Sequence, residues 1–70
     1  MAKIPQHIRA MWTDAYNFYA QFHGNINTRE DWQLCADTMV KISQSHDQHP
    51  LAKSILLAVY DQLNREATDG

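Results

Sequence analysis

Apolar residues between Pro5 and about Phe22 fall at Ile8, Met11, Trp12, Ala15, Phe18, Tyr19 and Phe22. Steps of three and four mark one face of a helix. At roughly 100° per residue this stripe spans about 120°, and Tyr16 widens it to about 160°. That is broad for one neighbour and suits contact with two. Pro5 fits a first helical position, where its missing N–H costs nothing. Gly24 stands where a glycine beyond the cap would close the helix, with His23 in the last turn. Residues 1–4 are expected to form a frayed lead-in.

Gly24-Asn25-Ile26-Asn27 is a turn by composition, with Ile26 placed to plug the end of a bundle. Thr28 is a good N-cap, and Thr28-x-x-Asp31 is a capping-box pattern with Asp in the usual Glu or Gln position. A second helix is predicted from about Arg29 to Ser45, with Trp32, Cys35, Ala36, Met39 and Ile42 as its apolar stripe and Val40 on the flank. Leu34 falls on the opposite face. Ser43 to His49 is polar, and Pro50 disfavours helix at His49, so the break is placed near Asp47–His49.

Pro50 then opens a third helix reaching about Glu66, with Asn64–Gly70 expected to fray. Its core face is Ala52, Ile55, Leu56, Val59 and Leu63. The six consecutive apolar residues Ile55 to Tyr60 cannot all lie on that face. Leu57 and Tyr60 project beyond its edge, beside Lys53 and Asn64. Strand alternation and hairpin dipeptides are both missing. The pattern therefore predicts an all-α fold. It is a single domain over residues 1–70, a three-helix up-down-up bundle with helices at about 5–22, 29–45 and 50–66.

Composition narrows the function. A chain of 70 residues buries only about 60% of its unfolded surface, so its margin of stability is small. One cysteine, Cys35, excludes an intramolecular disulfide and fits a reducing compartment. The first residues carry no apolar core of a signal peptide. The longest apolar run is also far shorter than the roughly 20 residues needed to cross a bilayer. The expectation is a cytoplasmic protein with no membrane segment. Net charge is −2, and Lys3, Arg9, Arg29, Lys41, Lys53 and Arg65 are spread singly. Nucleic-acid binding rests on clustered cations, so a DNA partner is poorly supported. A small DNA-associated transcriptional regulator remains the first alternative, through outward Gln33, Lys41 and Gln44 or Lys53, Asp61, Gln62 and Asn64.

Candidate chemistry is sparse. His46 and His49 flank Asp47 in the second loop. They are weak metal candidates, because two imidazoles and one carboxylate fall short of the four ligands zinc takes. A metal or small-ligand module is thus the second alternative, and no cofactor is expected. Cys35 lies on the buried stripe with no histidine in its helical neighbourhood, so a catalytic thiol has no base. The Glu30/Asp31 pair is explained by the positive end of a helix dipole. No catalytic residue is assigned, and the chain is read as non-enzymatic. Tyr16, Leu57 and Tyr60 combine large apolar area with marginal positions, two of them with a polar tip, as interface residues do. They are the candidate partner-binding residues, for a homodimer or another protein.

The pattern Met11-Trp12-x-x-Ala15-Tyr16-x-Phe18, then Asp31-Trp32, then Leu56-Leu57-Ala58-Val59-Tyr60, resembles small uncharacterised helical proteins of bacteria and their mobile elements. It spans about residues 8–66. The resemblance implies a bacterial accessory protein and carries no functional residue with it.

Overall fold

The computed structural model describes residues 2–69 and has three helices: α1 (Gln6–Phe22), α2 (Arg29–Ser45) and α3 (Pro50–Asp69). Pro5 is the cap of α1, one position earlier than its predicted place inside the helix. Its carbonyl accepts from the N–H groups of Ile8 and Arg9. Gly24 follows the C-cap with φ +74°, the left-handed conformation that its missing Cβ permits. Thr28 and Asp31 complete a true capping box. The Thr28 hydroxyl accepts from Asp31 N–H at 3.2 Å, and Asp31 Oδ2 accepts from Thr28 N–H at 3.1 Å. Asn27 N–H adds a further bond to the same oxygen at 2.9 Å. These bonds, that from Asn27 foremost, hold the Asp31 carboxyl below its ordinary pKa.

The end of α2 uses a different device. Gln48 N–H reaches Ser43 C=O at 2.8 Å and Asp47 N–H reaches Gln44 C=O at 3.0 Å, the two bonds of a Schellman closure. Asp47 and Gln48 both take positive φ, 56° and 55°, where a glycine would ordinarily stand. His49 then caps α3, its Nδ1 accepting from Leu51 N–H at 3.1 Å.

The core is built from Met11, Ala15, Phe18 and Phe22 of α1, Cys35 of α2, and Ala52, Ile55, Leu56 and Leu63 of α3. Phe18 and Phe22 meet edge to face, ring centres 5.5 Å apart. Tyr19 and His23 touch the end of α3, whereas His7 lies near its start. The first and third helices are therefore parallel and α2 runs back between their poles, which is the up-down-up bundle. α1 packs principally on α3, and α2 lies more loosely across both, with only Cys35 fully buried. Ile26 is half-buried against the core, as expected of a plug.

Two expectations are corrected. Trp12, placed on the core stripe of α1, is 56% exposed. α1 buries a narrower arc than its apolar pattern spans, because one close neighbour covers less of a helix than two. The polar segment after Asn64 does not fray at Glu66. The helix continues through Asp69, with Thr68 Oγ1 donating to the Asn64 carbonyl at 3.0 Å and Glu66 tied to α1. Gly70, part of that expectation, lies outside the described residues. Among the described residues no helix is long and apolar enough to cross a membrane.

Candidate interaction surface

The looseness of α2 leaves a groove open between it and α3. Met39, Val40 and Ser43 form one wall, and Lys53, Leu56 and Leu57 the other, around a volume of about 340 Å³. Leu57 is 60% exposed and Val40 48%, while Leu56, its neighbour in sequence, is 2% exposed at the floor. Consecutive helical positions point about 100° apart, which is why one leucine enters the core and the next leaves it. The aliphatic stem of Lys53 can cover apolar surface while its ammonium stays in water.

The three sequence-predicted partner residues have separate fates. Leu57 is exposed, as its position beyond the core face of α3 implied, and it stands on the rim of the groove. Tyr60 is half-buried, its ring centre 5.5 Å from that of Trp32, so it ties α2 to α3. Tyr16 is 70% exposed. It lies on the flank of α1 that also carries Tyr19 and His23, which reach Glu66 on the α1 side of α3. Leu57 belongs to the α2 side of α3, so the fold separates Tyr16 from Leu57. Met39 is half-buried against the core, as its place on the apolar stripe implied, and Val40 was missed as a partner of Leu57. The signal was present in the flank position of Val40, but only the pairing of α2 with α3 puts it beside Leu57.

A polar cluster closes the far pole of the α1–α3 seam. Tyr19 hydroxyl donates to Glu66 Oε2 at 2.6 Å, His23 Nδ1 donates to Oε1 at 2.8 Å, and Gln62 Nε2 donates to Oε2 at 3.0 Å. With Tyr19 the largest contributor, these donors hold the Glu66 carboxyl at a pKa of about 2, against an ordinary 4.5. The same bond raises the Tyr19 phenol, which must give up a proton beside a carboxylate. Both carboxylate oxygens are held by donors, two of them from the end of α1, so the cluster is a clasp between helices. Glu66 carries no local signal, because the polar composition of the tail after Asn64 is that of a fraying end. The available signal was the one-turn pair Tyr19/His23 at the same pole.

The opposite pole gathers the remaining histidines. His46 Nε2 donates to Asp14 Oδ2 at 2.7 Å, with the His46 side chain only 12% exposed. His7 and His49 approach with ring centres 6.2 Å apart. His46 and His49 are thus half-buried, the first held by Asp14 of α1 and the second capping α3. Among the described residues no group of three or more His, Cys, Asp or Glu side chains is arranged to hold a metal ion. Cys35 is fully buried, and burial pushes its thiol pKa up, away from the nucleophilic thiolate.

Comparison of the chain with protein-family models, curated proteins and solved structures gives no match. The reading of function therefore rests on the surface just described.

Proposed function

We propose that the chain is a small non-enzymatic interaction module, an accessory protein of the bacterial or mobile-element kind its motifs resemble, and that it self-associates through the α2–α3 groove. The observation that carries this reading is Leu57, a large apolar side chain 60% in water beside an open apolar groove with Val40 on its rim. A lone exposed leucine such as Leu34 needs no explanation. One that adjoins a groove with its own apolar wall does.

Surface area supports it. The chain exposes 5255 Å², whereas a compact monomer of 8.1 kDa exposes about 4500 Å². Part of the excess is the extended lead-in at residues 2–5, and the exposed Val40 and Leu57 of the α2–α3 face contribute to the rest. A second copy is the occupant this argument favours, since its own protruding Leu57 is a knob of the chemistry the groove accepts.

The test is native mass by light scattering at tens of micromolar. The expected mass is twice that of the chain, falling to one chain in Leu57→Asp with helix content unchanged. A single-chain mass for the unmodified protein overturns the reading.

A further inference from the structure

The geometry points to an antiparallel two-fold pairing of α3 with α3 of a second copy, centred on Leu57 and locked by two Lys53–Asp61 ion pairs. It rests on the self-association proposed above and adds the arrangement of the two copies.

An isologous interface has to be complementary to itself. Few surfaces meet that condition by accident, since any charge on the axis meets its own kind. On the exposed side of α3 the series at one-turn spacing is Lys53, Leu57, Asp61. An apolar residue stands at the centre, with a cation one turn before it and a carboxylate one turn after it. In an antiparallel pair with its axis at Leu57, each position lies opposite the one equally far on the other side. Lys53 of each copy then meets Asp61 of the other, and the contact occurs twice. Uncharged positions behave equally well, Ser54 meeting Tyr60 and Pro50 meeting Asn64. A parallel pairing in register would instead set Lys53 against Lys53 and Asp61 against Asp61. The charge order therefore selects one direction.

The groove supplies the apolar part. Leu57 of each copy meets Leu57 of the other on the axis, and the pair is flanked on each copy by Val40 and the stem of Lys53, with Leu56 beneath. Asp61 already pairs with Arg65 on its own helix at 3.1 Å, with the two side chains 60% and 70% exposed. Such exposed pairs contribute little, and a carboxylate has room for a second donor.

The experiment is sedimentation equilibrium at low salt on the unmodified chain, Leu57→Asp, Lys53→Asp, Asp61→Lys and the double exchange Lys53→Asp/Asp61→Lys. Circular dichroism confirms that each variant keeps its helix content. Neutral Lys53→Gln and Asp61→Asn serve if a reversal disturbs the fold. Each single reversal sets like charges together at two symmetric points, so association is expected to weaken about tenfold or more, and less at high salt. The double exchange restores it to within a few-fold. If Leu57→Asp is monomeric while the double exchange recovers nothing lost by the singles, self-association stands and the antiparallel pairing is overturned. If the unmodified chain is monomeric at every concentration, both proposals are overturned. If Leu57→Asp remains dimeric, the face itself is the wrong one.

Discussion

Leu56 and Leu57 are adjacent and chemically identical, and their environments are nearly opposite, which makes alanine at each position a direct test of the packing. Truncation to alanine removes three carbons, each worth about 0.8 kcal/mol when fully covered. Leu56 is 2% exposed, so it forfeits nearly all of that transfer free energy, about 2.4 kcal/mol. It also leaves a cavity, which brings the expected loss to about 3–5 kcal/mol. Leu57 is 60% exposed, so about two-fifths of the same quantity is at stake in a single copy, roughly 1 kcal/mol. The better helix propensity of alanine returns a few tenths of that.

A domain of 70 residues has a total stability of about 4–10 kcal/mol. Leu56→Ala should therefore remove a third of it or more, and Leu57→Ala a tenth to a quarter. Urea titration followed by circular dichroism reads both, run at about 1 µM so that association contributes little. If Leu56→Ala leaves no folded baseline, Leu56→Val, one carbon smaller, should lose about 1 kcal/mol and keeps the comparison readable. Equal losses for the two alanine variants at low concentration would refute the helix rotation on which the groove depends. If the chain self-associates as proposed, repeating the titration at a hundredfold higher concentration should enlarge the Leu57→Ala deficit, because a second copy then stabilises the folded unmodified chain.

The remaining expectations concern the ends of helices and the clasp. Asp47→Gly should raise stability by about 0.5–1 kcal/mol, since a residue without a Cβ takes the positive φ of the Schellman closure at less cost, read as a higher urea midpoint. Thr28→Ala should lower it by about 1 kcal/mol through loss of the capping box, read the same way. Glu66 has its carboxyl pKa lowered to about 2 from 4.5, so the stability it contributes is complete above about 4.5 and is lost as pH falls from there towards 2. Glu66→Gln should melt below the unmodified chain at pH 7, and the gap should close as pH falls through that window. A gap independent of pH would show that the clasp acts through shape alone.

How far the fold could be read from residues depended on how local the cause was. The limits of α1 and α2 to within a residue, the capping box and the turn at Gly24 depend on neighbours a few positions away, and these were legible. The close of α2 was less so. Asp47 and Gln48 carry no glycine signal, and their left-handed backbone follows from the Ser43 and Gln44 carbonyls needing donors. Trp12 was misplaced because periodicity gives the apolar arc of a helix but not how much of it a neighbour covers. Tyr16 and Leu57 show the same limit, since both lie on the margins of their helices and only the packing of α3 between α1 and α2 decides that they face apart. Glu66 needed a tertiary partner at each of two α1 positions, Tyr19 and His23, to turn a polar tail into the last turns of a helix.

The six apolar residues from Ile55 to Tyr60 advance through about 500° of helix rotation, more than a full turn. No arrangement of two neighbours can cover them all, so some residue in the run had to face water. Ala58 is exposed and is small enough for this to cost little. At Leu57 a charged residue would give equal helix propensity without leaving apolar surface in water, at the loss of the two-fifths of the side chain that one copy covers. The leucine there, with Lys53 and Asp61 at matched distances on either side, makes sense once a second α3 lies across it. Folding and association then share a surface: the same face that leaves α2 loosely held in one copy is the face that two copies would cover.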